Sequence, residues 1–214
     1  MNITPWVRQH PIAAFLMWFF PVGWAIAFIP QIARSTMNIE LSMEAFIILS
    51  TWCGLLLPVI VIINIVDGTQ GLRVLRQQLT RIRVNIGWYA LGVLVVPGLS
   101  LALAIMTFGP PDVSPATWLA AITTGLLLQT AVGFATTNLW EEAAWMGFVQ
   151  SRLQTRYGVM LAAVITAVLF MLQHVPLMVA QNMSLVVPVL FFVLAARWWR
   201  RGSARPAVTE MVSP

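Results

Sequence analysis

Apolar residues run in continuous blocks along this chain rather than in alternation. The blocks cover roughly 12–30, 43–66, 86–108, 116–139, 157–174 and 185–199. Several approach or exceed the ~20 residues with which an α-helix crosses a bilayer. Lipid offers the backbone no hydrogen-bonding partners, so a spanning segment is a helix or part of a closed barrel. Barrel strands alternate apolar and polar positions, and these blocks do not. The expected fold is all-α: a polytopic transmembrane helical bundle of about six spans.

One stretch departs from the block pattern. Between Asp67 and Asn85, Leu72, Leu75, Leu79 and Ile82 recur every three or four residues among Arg73, Arg76, Arg81 and Arg83. This predicts an amphipathic interfacial helix over 67–85, suited to lying on an anionic leaflet. The chain then divides into an N-terminal two-span hairpin (1–66), a core of that helix plus the spans within 86–199 (67–200), and a polar tail (201–214) expected to be disordered. The other connections are short: a polar hairpin at Gln31–Ser42, a turn at Gly109–Pro115, and a turn around Gln181–Ser184 ahead of the sixth block. No polar linker separates two domains, and no inverted repeat of the transporter kind is evident.

Composition sharpens this picture. Of 214 residues, 59% are hydrophobic and only 9% charged, with a mean hydropathy of +0.85. The net charge of +5 comes from 12 positive residues, all of them Arg. They fall at the ends of apolar blocks, so the charge reads as membrane topology, and nucleic acid is not an expected partner. With the 67–85 stretch in the cytoplasm and the blocks counted alternately, eleven Arg lie inside and only Arg34 lies outside. This predicts both termini in the cytoplasm and an integral protein of a bacterial inner (plasma) membrane, with lipid as its first partner. The first block is longer than the ~7–15-residue core of a cleaved signal and reads as a retained span. Cys53 is the single cysteine, which excludes an intrachain disulfide framework or a cysteine zinc site and leaves it as a small core residue. His10 reads as a solvated histidine at the interface.

Candidate chemistry concentrates at two places. Glu141 and Glu142 end the fourth block, inside Asn138–Phe148, and His174 ends the fifth. Ionisable groups at membrane depth are costly, and the default reading of one is functional. Neighbours on a helix diverge by about 100°, so one Glu faces a cavity while the other makes a supporting contact. Asn138 precedes Glu141 by three residues and Glu142 by four, within reach of either. Residues 139–150 are apolar apart from the Glu pair, which predicts that their helix continues into the bundle. The antiparallel fifth span then brings His174 to Glu141, where a carboxylate and an imidazole can hold and deprotonate a water. The Glu pair is expected near the cytoplasmic face. The alternative is polar glue, in which the same groups cement helices by hydrogen bonds. Ala143 and Gly147 form a small-residue pair suited to close helix approach. A zinc site needs three or four ligands, and only Glu141, Glu142 and His174 are on offer, without a His-Glu-x-x-His pattern. No cofactor is expected, and a divalent metal is the less favoured option. Walker, dinucleotide-binding and serine-elbow patterns are absent.

Glu141-Glu142-x-x-Trp145-x-Gly147-Phe148 resembles the Glu-Glu-x-x-x-Arg motif of the CAAX protease and bacteriocin-processing (CPBP or Abi) family. Phe170-x-x-x-His174 resembles its second motif, and the amphipathic stretch around Gly71-Leu72-Arg73 is also similar. The resemblance covers roughly 65–200. It implies an intramembrane endopeptidase, open toward the cytoplasm, that cleaves a peptide or membrane-protein substrate. Glu141 with His174 would activate the attacking water, and Glu142 and Phe170 would fill the other motif positions. Family members have been described both as metalloproteases and as glutamate-dependent proteases. Two departures stand out. Met146 occupies the arginine position, and no histidine follows His174, although the family carries a later His-x-x-x-Asn motif. The segment Arg197–Ser203 looks like the lead-in to that last span, so a degenerate or truncated member is one expectation. A non-catalytic interaction or bacteriocin-immunity protein on the same scaffold is the rival reading, and a small transporter component is a third.

Overall fold

The computed structural model describes residues 3–80, 83, 85–109, 114–120, 123–124 and 128–183. Among them the secondary structure is helical, without strands. A short α1 (Thr4–Gln9) leads into α2 (Pro11–Met37), and α3 (Met43–Val66) returns beside it. The amphipathic α4 (Gly68–Leu79) precedes α5 (residues 86–108) and the short α6 (Pro115–Ala120). Next come α7 (residues 128–157), α8 (residues 159–173) and α9 (Val175–Ala180). Among the described residues, three stretches are long and apolar enough to cross a membrane: Pro11–Met37, Met43–Val66 and Ala131–Gln173, at mean hydropathies of 2.1, 2.6 and 1.8. The protein is an all-α integral membrane protein. The expected sixth block, the tail, and parts of the 109–115 turn and the fourth block lie outside the described residues.

The second and third blocks become helices at their expected bounds, while two boundaries move. The hairpin expected at Gln31–Ser42 shrinks to 38–42, because α2 runs on to Met37. Its polar residues satisfy themselves within the helix: Ser35 and Thr36 hydroxyls donate to the Ile32 carbonyl (3.1 and 2.6 Å). The Gln31 amide donates to the Pro176 carbonyl (2.9 Å), and Asn38 ends the helix in the left-handed region (φ 55°). The second shift is larger. The fourth span was expected over 116–139 with its helix continuing through 150, and α7 runs further still, to residue 157. The chain reverses at Gly158 (φ 74°, ψ 171°), so that 141 pairs with 173 and 145 with 170. That backbone conformation is essentially confined to glycine, at a cost of about 1–3 kcal/mol for other residues. Gly158→Ala should lower stability by about that amount, seen as an earlier thermal unfolding transition in detergent. A melt matching wild type would show that the reversal does not depend on glycine.

The core lies where α2, α3 and α7 meet. Phe15 and Phe19 of α2 enclose Trp145 and Phe148 of α7, all of them essentially inaccessible. Phe15 and Phe19 meet the indole edge-on at 5.5 and 5.6 Å. In α2 and α3 the backbones touch at Gly23 and Gly54, where a Cβ on Gly54 would come within 2.8 Å of the Gly23 Cα. The Ser50 hydroxyl donates to the Gly23 carbonyl across the same contact (2.9 Å). Inside lipid such packing and interhelical bonding take over from the hydrophobic effect as the force between helices.

The amphipathic helix has the expected faces and a shorter span. Leu75 is buried, Leu72 and Leu79 pack against the core, and Arg73 and Arg76 are exposed. It ends at Leu79 instead of 85; of the residues beyond, 81, 82 and 84 are outside the described set. Gly147 accommodates this helix, not another span: a Cβ there would come within 2.8 Å of Leu75 Cδ1. At its start Asp67 forms an ion pair with Arg152, whose guanidinium also lies 4.2 Å from the Phe148 ring centroid. Arg8 donates to the Ile65 carbonyl (3.1 Å) at the same level. The arginine-bearing elements are thereby gathered at one end of the bundle, and the 38–42 connection and α9 lie toward the other.

Candidate active site

Glu141 and Glu142 occupy a single α-turn, Leu139–Glu142, between π-helical stretches at Phe134–Asn138 and Ala143–Gln150. A third π-helical stretch, Thr51–Leu56, begins at a residue that faces Glu141. Such wide turns re-aim side chains and are frequent at functional sites. Glu141 turns inward and is half-buried, while Glu142 turns outward and is exposed. The divergence is the one that adjacent helix positions impose.

A relay of hydrogen bonds fixes Glu141. The indole N–H of Trp145, one turn further along α7, donates to Gln173 Oε1. An indole nitrogen can only donate, so the Gln173 oxygen is on that side and its NH2 points away from it. Gln173 Nε2 then donates to Glu141 Oε1 at 2.7 Å. The Thr51 hydroxyl faces the same carboxylate. The aromatic core thus sets the position of the acid through one intervening amide.

His174 follows directly. Its Nδ1 lies 2.9 Å from the Phe170 carbonyl, one turn back, and its ring packs on Phe170 at 4.8 Å between centroids. A carbonyl only accepts, so Nδ1 carries a proton, and in the neutral ring Nε2 keeps its lone pair. Phe170 also meets Trp145 edge-on (6.3 Å), which ties the histidine turn to the same core.

Glu141, His174, Gln173, Thr51 and Asn138 line one cavity of about 190 Å³. A single water needs only ~10–15 Å³, so the space holds a water and part of a larger group. Of the residues expected at a site, the structure brings together Glu141, His174 and Asn138. Phe170 supplies the carbonyl that holds the imidazole. Asn138 is exposed and contacts the Thr137 hydroxyl (3.1 Å), with no hydrogen bond to either Glu. Met146 is exposed, and among the described residues Glu142 makes no ion pair. No group of three or more His, Cys, Asp or Glu able to hold a metal occurs among the described residues. Glu141 and His174 offer two donors, with Glu142 exposed and outside the cavity lining. Gln173 and Thr51 were not among the expected site residues. Gln173 stood beside His174 as a second polar residue in an apolar run, which was the available signal; Thr51 carried none.

The site is deeper than expected. From Glu141 to Arg152 there are eleven residues, about 16 Å of helix. The Glu pair therefore does not sit at the arginine-bearing end. The expectation placed Arg152 and Arg156 in a connection close behind the Glu pair, whereas the helix carries them on to residue 157.

No curated protein and no solved structure matches the chain. A family model does match, from within the fourth block to the tail, and leaves out the amphipathic helix that the resemblance had included. Residues 123–209 match the type II CAAX prenyl endopeptidase Rce1-like family, which places the Glu-Glu and Phe-x-x-x-His segments in a CAAX-protease-type region.

Proposed function

We propose that the protein is an intramembrane endopeptidase of the CAAX-protease type, with six spans and both termini in the cytoplasm. The observation that carries the reading is the shared cavity: Glu141 and His174, 33 positions apart in sequence, line the same 190 Å³ space. A water between them loses a proton to Glu141 or to His174 Nε2, and its oxygen attacks the peptide carbonyl carbon. The proton then passes to the leaving amine as the C–N bond breaks. Asn138 faces the cavity with an amide that can donate to the oxyanion, a group whose loss in other enzymes costs ~10²–10³ in rate. The likeness over residues 123–209 supports the endopeptidase class independently of the cavity.

A second reading has its own observation. Met146 stands exposed where the family motif has arginine, and Glu142 lacks an ion-pair partner among the described residues. A catalytically degenerate interaction or immunity protein on the same scaffold would show both features. The test is a comparison of newly formed peptide N-termini in membranes bearing wild-type or His174→Ala protein at equal abundance. Termini present with wild type and absent with the variant support the peptidase. Identical sets of termini reject it and leave the scaffold reading.

A further inference from the structure

We infer that the notch between the start of α2 and the close of α7 binds the phosphate of an anionic phospholipid, at a place separate from the Glu141–His174 cavity.

Two short segments, residues 10–16 and 152–157, surround a space of about 380 Å³. That lies within the ~300–1,000 Å³ of ordinary ligand sites. It shares no lining residue with the Glu141–His174 cavity. His10, Arg152 and Arg156 supply the basic part of its wall, and no acidic side chain is among its lining residues. Arg152 and Arg156 are four positions apart on α7, so they share a face of the helix as a like-charged pair. An anion between them offsets that repulsion.

One of the two guanidiniums is already fixed. Arg152 pairs with Asp67, its Nη1 donates to the Phe148 carbonyl at 3.4 Å, and it lies 4.2 Å from the Phe148 ring centroid. These bonds use two of its five N–H donors and hold its plane, so the others are aimed before a ligand arrives. Arg156 and His10 are exposed and make no ion pair among the described residues. The notch therefore holds one cation that Asp67 answers and a second that nothing described answers, with an imidazole beside them.

The rest of the wall selects a lipid over a free anion. Ile12, Leu16 and Leu153 line the same space. Residues 11–16 open the membrane-crossing stretch Pro11–Met37, so the basic groups stand where the apolar stretch begins. Tyr157 is in the lining, and Trp6 packs on His10 at 5.6 Å between centroids. Both are residue types favoured at the level of the headgroups. A phosphodiester against the arginines, with its acyl chains along Ile12 and Leu16, uses both parts of the wall. Inorganic phosphate would leave the apolar part empty. The arginine bias that assigns this end to the cytoplasm also assigns it to the more anionic leaflet.

The test is the fluorescence anisotropy of a phosphatidylglycerol labelled on its acyl chain, added to the full chain purified in a non-ionic detergent. Unlabelled phosphatidylglycerol should displace it, while phosphatidylcholine and millimolar inorganic phosphate should not. Arg156→Gln should weaken binding about fivefold, the usual contribution of one arginine to anionic-lipid attraction. Arg156→Lys, which keeps the charge, should bind close to wild type. His10→Gln added to Arg156→Gln should weaken binding further, and Arg73→Gln, on the exposed face of α4, should leave it unchanged. Displacement by phosphatidylcholine as readily as by phosphatidylglycerol overturns the inference, as does an Arg156→Gln protein that binds as wild type does. An equal loss in Arg73→Gln overturns it too, because the attraction would then belong to the whole basic surface. Displacement by inorganic phosphate would make the notch a soluble-anion site and end the lipid assignment. No cleavage is measured, so the outcome stands apart from that of the peptidase test.

Discussion

Glu141→Gln should lower peptide-bond cleavage by about 10²–10⁴-fold, the range a positioned general base contributes, without unfolding the protein. Glutamine keeps the shape of the side chain, and its Oε1 still accepts from Gln173 Nε2, the bond measured at 2.7 Å. What it lacks is the negative charge that draws a proton from water. Thermal unfolding in detergent should therefore remain close to wild type while the appearance of new N-termini stops. The double variant with His174→Ala should fall no further than the weaker single variant, because groups that act on one water are not additive in their removal. Additive losses would mean that the two side chains serve separate steps. Full cleavage by Glu141→Gln would end the peptidase reading.

The helical class, the bounds of the second and third blocks and the faces of the amphipathic helix were legible because apolar length and 3.6-residue periodicity are local properties. The Glu141–His174 encounter was also legible, since an apolar run past the Glu pair leaves its helix no reason to stop. The boundary at Met37 was not, because Ser35 and Thr36 hide their polarity by bonding back to the Ile32 carbonyl. The depth of the site was missed for a related reason. Arg152 and Arg156 look like a loop, yet Arg152 is held within α7 by Asp67 and the Phe148 ring, so the reversal waits for Gly158. Thr51 could not be found at all: it lies 90 residues from Glu141, and only the fold brings it near. The Arg-to-Met departure at 146 was plain in the sequence, and the structure adds that the position is exposed.

Trp145→Ala should destabilise the folded protein by about 3–5 kcal/mol, the usual cost of emptying a buried aromatic site. Trp145 is fully buried, and three phenylalanines, Phe15 and Phe19 of α2 and Phe170 of α8, meet it edge-on at 5.5–6.3 Å. Its removal frees α2, α7 and α8 from one another at a single point. Within the bilayer the loss is of dispersion contacts, which lipid chains cannot restore in a closed cavity. Trp145→Phe separates this packing from the hydrogen-bond relay. It retains an aromatic ring for its neighbours but leaves Gln173 Oε1 without its donor, worth about 1–3 kcal/mol when buried. It also releases the amide that orients Glu141. The expected pattern is a large fall in melting temperature with alanine, a smaller one with phenylalanine, and cleavage reduced in the phenylalanine protein at temperatures where it remains folded. If Trp145→Phe cleaves as wild type does, Gln173 is oriented by something other than the indole, and the route from aromatic core to carboxylate is wrong. If Trp145→Ala melts with wild type, the three-helix contact is not what holds the site together.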